Sequence, residues 1–162
     1  MVTVMRRFAF VDRWLLPARP GEVFEVLADV DGYPRWWPEV RSMRRIDDCR
    51  GTAVVRSRLP MNLHLQMTRE TVDPDEGVLR VGIRGDLLGW AQWIVIDEGE
   101  GTAAVFTQEV EPAKRAWRAA ASAAPVLGRH LLVRNHEAMM HSGRASLARY
   151  LRTGPAGPAG AG

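Results

Sequence analysis

Residues 125–150 constrain the fold of this chain more than any other stretch, because they alone sustain a helical hydrophobic period over about seven turns. At 100° per residue, Leu132, Asn135, His136, Met139, Gly143, Ser146 and Tyr150 fall on one face. The opposite face carries His130, Arg134, Glu137, His141 and Arg144 and must meet water. The first face is not a plain aliphatic stripe: Asn135 and His136 interrupt it, and Gly143 leaves a gap further along. Buried polar groups need partners or a cavity. The helix therefore reads as one wall of a pocket, gripped by the strands that precede it.

Those strands are announced by their punctuation. Residues 8–16 form a first strand, with Phe8, Phe10 and Trp14 on one parity and Val11 and Leu15 on the other. A short amphipathic helix follows over 20–28, opened by Pro20 and burying Val23, Phe24 and Leu27. Tyr33, Trp36 and Trp37 then crowd around Pro34 and Pro38, which leaves room for a single helical turn. On one turn the two adjacent indoles cannot both point inward, so one is expected at a pocket mouth. Strands are expected over 40–47, 52–58, 63–72, 78–85, 90–96 and 103–110, separated by turn residues at 49–51, 59–61, 73–77, 85–89 and 98–101. Six hairpin-spaced strands with no helix between them exclude a parallel α/β sheet. The fold class is α+β: about seven antiparallel strands curved around the long helix, in one domain over 1–153. Residues 113–124 read as an imperfect alanine-rich helix. The Gly/Pro/Ala tail 154–162 cannot bury enough surface to order itself.

Composition narrows the function. With 162 residues, 46% hydrophobic and 25% charged, the chain has the make-up of a soluble globular domain. No run approaches the ~18 apolar residues of a membrane span, and the N-terminus has no signal-peptide pattern. A single cysteine, Cys49, rules out an internal disulfide and suits a reducing cytosol, so the expected location is cytoplasmic. The net charge of +3 comes almost wholly from arginine, spread from Arg6 to Arg152 without a cluster. That distribution speaks against nucleic acid as the partner. Monomer and homodimer both remain open.

The order of elements, together with Ala18-Arg19-Pro20-Gly21-Glu22-Val23-Phe24-Glu25-Val26-Leu27-Ala28-Asp29 and above all Asp31-Gly32-Tyr33-Pro34-Arg35-Trp36-Trp37-Pro38-Glu39-Val40, resembles the helix-grip superfamily of START proteins, birch-pollen allergens and polyketide cyclases. Gly85-Asp86-Leu87-Leu88-Gly89-Trp90, Gly101-Thr102-Ala103 and Arg134-Asn135-His136-Glu137-Ala138-Met139-Met140 resemble its bacterial cyclase/dehydrase and lipid-transport branch. The resemblance covers about residues 7–152. It implies an internal cavity for a lipophilic molecule, no metal and no organic cofactor, and one of two activities: carriage of a lipid, isoprenoid or polyketide, or cyclisation of a poly-β-ketone by aldol condensation and dehydration. One fold hosts many functions.

Within that frame, His136 and Asn135 either polarise a ligand carbonyl and move a proton, or serve as structural donors to backbone groups. Arg58, if inward, completes a catalytic set by holding an enolate oxygen; Arg80 has the same two possibilities, inward or solvating the outer sheet face. Candidate ligand contacts are Trp36, Trp37, Trp90 and Trp93 as a stacking wall, His64, Met67 and Gln108 on strands, and Leu132, Met139 and Gly143 on the helix. A tryptophan at the mouth would also permit transient membrane contact. His136 and His141 lie about 140° apart on the helix, which rejects a zinc-protease motif. No nucleophile elbow or phosphate-binding glycine loop is present.

Overall fold

The computed structural model describes residues 7–56, 62–113 and 125–154, with side chains from Arg129 onward in the last stretch. The elements run β1 (Phe8–Leu16), α1 (Pro20–Ala28), a 3-10 turn (Val30–Gly32), α2 (Tyr33–Trp36), β2 (Val40–Arg45), β3 (Arg50–Val55), β4 (Leu63–Asp73), β5 (Val78–Gly85), β6 (Leu87–Asp97), β7 (Thr102–Pro112) and α3 (Pro125–Thr153). All seven strands join one antiparallel sheet in the order β1-β7-β6-β5-β4-β3-β2. After β1 the chain crosses through α1 and α2 to the far edge. It then returns hairpin by hairpin until β7 closes on β1.

Local periodicity explains the early elements. In β1 the even positions face inward, Trp14 and Leu16 being almost fully buried, while Val11 and Leu15 stay exposed. The α1 stripe buries Val23, Phe24 and Leu27 as its spacing requires. Its first turn is closed by the Arg19 amide donating to the Glu22 carboxylate at 3.1 Å. At the other end the Tyr33 hydroxyl donates to the Leu27 carbonyl at 2.8 Å, tying α2 to α1.

The sheet departs from expectation between β5 and β6. Residues 85–89 read as a loop, yet β6 begins at Leu87 and only Asp86 lies between the strands. Asp86 closes this bend: its carboxylate accepts the His64 amide at 2.8 Å, its own amide donates to the His64 carbonyl at 2.9 Å, and its carbonyl accepts the Ala113 amide at 3.0 Å. Gly89 belongs to the ladder, where the carbonyl of Glu109 approaches too closely for any Cβ. Glycine here marks strand proximity and not a turn.

Both neighbouring indoles are buried, Trp36 at 5% and Trp37 at 4% exposure, which corrects the expectation of one at a mouth. Trp37 has already left the helix, with φ −106° and ψ 99°, so its ring is freed from the 100° helical step and stacks on Trp36 with centroids 5.2 Å apart. The Trp37 indole then seats α3: Nε1–H donates to the Met139 carbonyl at 3.2 Å. Nearby, the Ser142 hydroxyl donates to Glu39 at 3.1 Å. The expected helix over 113–124 and the tail beyond 154 lie outside the described residues, apart from Ala113 and Gly154.

Candidate ligand cavity

Between the inner sheet face and α3 lie two adjoining chambers. The first, of about 130 Å³, is walled by Tyr33, Trp37, Met43, Met67, Leu79, Val81, Trp93 and Phe106, with Arg69 and Thr71 among its lining residues. The second, of about 140 Å³, is walled by Phe8, Phe10, Leu63, Leu87, Leu132 and Met140, with Asn135 and His136. We call them the tryptophan and histidine chambers. Trp37, Val55, Leu65, Phe106, Gln108 and Met139 line both. An apolar void of about 150 Å³ takes one benzene ring. Each chamber therefore suits a single ring, and a fused-ring ligand spanning both must displace side chains among the six residues they share.

The polar groups are few. Gln108 sits between Phe106 and Val110 on the inward parity of β7 and reaches both chambers. His136 stacks on Phe10 with ring centroids 3.7 Å apart and an interplanar angle of 15°. Its Nε2 lies 3.0 Å from Oδ2 of Asp12, on the inward face of β1. The imidazole side chain is only 12% exposed. Its partner is thus a carboxylate and not a backbone carbonyl. Tyr33 is no acid or base near neutrality, because burial pushes its phenol well above the ordinary range. Among the described residues no group of three His, Cys, Asp or Glu side chains could hold a metal ion.

Several expected contacts are elsewhere. Trp90 points to the outer sheet face, where the Arg80 guanidinium lies 4.0 Å over its ring and also pairs with Glu70 at 2.9 Å. Arg80 borders the tryptophan chamber, but its charge is committed outside. His64 is exposed, since Leu63, Leu65 and Met67 take the inward parity of β4. Trp36 is core and lines neither chamber; its Nε1 has no hydrogen-bond partner among the described residues. The gap at Gly143 is filled already, by the rings of Trp37 and Trp14. Trp37, Trp93, Met67, Gln108, Leu132, Asn135, His136 and Met139 do line the chambers. Arg58 lies outside the described residues. Asp12 and Phe10 were missed, although an acid on the apolar parity of β1 was a visible signal. Trp36 and Trp37 are both buried, and no helix among the described residues is long and apolar enough to cross a membrane.

The family model for polyketide cyclase/dehydrase and lipid transport matches residues 8–152. The chain belongs to that family. Solved structures agree on its fold. The Zhui aromatase/cyclase from Streptomyces sp. R1128 superposes with a TM-score of 0.75 at 15% identity, over 91% of this chain and 94% of that one. TTHA0849 from Thermus thermophilus gives 0.70 at 20% identity, over 87% and 97%. The di-domain ARO/CYC StfQ of the steffimycin biosynthetic pathway gives 0.62 at 15% identity, over 91% of this chain and 52% of that one. At such identities the likeness speaks to the helix-grip fold alone. No curated protein matches the sequence.

Proposed function

We propose that this protein binds a hydrophobic small molecule, a lipid, isoprenoid or polyketide, in the adjoining chambers between sheet and α3, as a carrier or chaperone. The observation that carries the reading is the pair of ring-sized apolar chambers that share six lining residues, Gln108 and Met139 among them. Aromatic walls from Trp37, Trp93 and Phe106 offer stacking faces, and the few polar groups suffice to orient a ligand. Native mass spectrometry of protein purified from its own host tests it. A retained small molecule is expected. A bare polypeptide mass, together with no uptake of any hydrophobic probe, contradicts the reading.

A second reading, favoured by the polar set of Gln108, Asn135 and His136 around the histidine chamber, is a cofactor-independent cyclase/dehydrase. It would close a poly-β-ketone by aldol condensation. Acid, base and oxyanion donor must then converge on one reacting carbonyl. Incubating the protein with a synthetic poly-β-ketone thioester and following ring formation distinguishes the two: uptake without cyclisation favours carriage.

A further inference from the structure

His136 is held unlike an ordinary core histidine. Phe10 covers one of its ring faces, and the Phe106 ring lies 6.1 Å away at 25°. Asp12 engages Nε2 from β1 while His136 itself lines the chamber, so the carboxylate stands behind the imidazole and not between it and a ligand. Nδ1 has no hydrogen-bond partner among the described residues. A carboxylate on one nitrogen fixes the tautomer, leaving the other nitrogen as the acceptor.

We infer that Asp12 and His136 form a proton-transfer pair, with His136 as base and Asp12 as its positioning residue, acting on ligands that bring a carbonyl-activated C–H bond into the histidine chamber. This rests on the reading that the chambers hold a ligand, and gives that ligand a chemical class: ketones with an acidic α-hydrogen. Nδ1 takes the α-proton. The C–H electron pair becomes the enolate C=C, and the carbonyl π pair moves onto oxygen, within the chamber that also presents the Gln108 amide as donor. Asp12 stabilises the imidazolium that results. Exchange of the imidazolium proton with solvent, followed by return to the same carbon, regenerates ketone and neutral imidazole, so no oxidant, reductant or co-reactant is consumed.

The test uses phenylacetone, a single-ring ketone with an activated α-hydrogen, in D2O, with loss of its α-proton signal followed by NMR and binding followed by quenching of tryptophan fluorescence. The wild type is expected to accelerate exchange over buffer by about 10²–10⁴-fold, the usual yield of a positioned general base. His136→Gln should fall to the buffer rate while quenching persists. Asp12→Asn keeps the shape of the carboxylate but reverses its preference for the imidazole tautomer. It should lower kcat at least about tenfold at unchanged half-saturation and move the His136 15N pattern away from the Nε2–H tautomer. Quenching without acceleration in the wild type overturns the pair and leaves the binding reading standing. Absence of both overturns both. A loss of thermal stability in Asp12→Asn with unaltered kcat makes the contact a structural link between β1 and α3, and likewise overturns the assignment.

Discussion

Replacing Gly143 with alanine pits two effects of opposite sign against each other. Alanine in a helix interior is worth about 1 kcal/mol over glycine, so propensity alone calls for stabilisation. The packing calls for the reverse. A Cβ at Gly143 would stand 2.6 Å from Cε2 and 2.7 Å from Nε1 of Trp37, and 2.9 Å from Cη2 of Trp14. Neither ring can retreat freely. Trp37 is stacked on Trp36, Trp14 is set edge-on to Trp37 at 5.5 Å, and Trp14 meets Trp93 at 4.7 Å. Overpacking of this kind costs about 1–3 kcal/mol. Displacing the Trp37 indole also strains its bond to the Met139 carbonyl, worth about 1 kcal/mol. After the helical gain is deducted, Gly143→Ala should be less stable by about 1–3 kcal/mol, which lowers Tm by roughly 2–12 °C for a chain of this size. Urea denaturation followed by tryptophan fluorescence reads it directly. A variant as stable as the wild type, or about 1 kcal/mol more stable, would refute the claim that Gly143 exists to admit two indoles.

Three further outcomes follow from the same geometry. Met139→Ala removes a side chain that lines both chambers, so it should merge them and strengthen uptake of a tricyclic probe relative to a monocyclic one, measured by fluorescence titration. Arg80→Gln and Trp90→Phe act on the outer sheet face, so probe affinity should stay within about twofold of wild type, well under the ~1.4 kcal/mol that a tenfold change requires; a large loss in either would mean that the assigned face is wrong. The third concerns Tyr33, whose raised phenol pKa means the folded state disfavours its ionised form. Its contribution is complete below the unfolded value of about 10 and is lost as pH rises beyond it, at up to ~1.4 kcal/mol per pH unit. Tyr33→Phe should therefore be less stable than wild type by about 1 kcal/mol at pH 7, through loss of the bond to Leu27, and should lose less stability than wild type between pH 10 and 11.

How legible this architecture was depends on the reach of the interactions concerned. Phe8–Leu16 and Pro20–Ala28 were readable to the residue because their patterns repeat within a few positions and end at Pro17 and Asp29. Strand parity reaches further. Trp90 and Trp93 are an odd number of positions apart on one strand, as are His64 and Met67, so only one of each pair can face the cavity; which one is decided by tertiary packing. The same rule exposes Asp12, an acid among Phe8, Phe10 and Trp14. The filling of the Gly143 gap was not legible, since the residue that fills it is more than a hundred positions away and escapes the helical step only because Trp37 adopts an extended backbone. Asp86 was hidden for a similar reason: Gly85 and Gly89 signal a loop, whereas Gly89 serves close approach of β7.

On the proposed function, the space beneath α3 accepts a hydrophobic molecule. Labelling methionine methyl groups with 13C and titrating with β-naphthol tests it most directly, because Met139 lines both chambers and Met67 lines the tryptophan chamber. Saturable shifts of the Met139 and Met67 methyls, with one common Kd, are predicted. A Met139 signal that stays unmoved to the solubility limit of the probe would contradict the account.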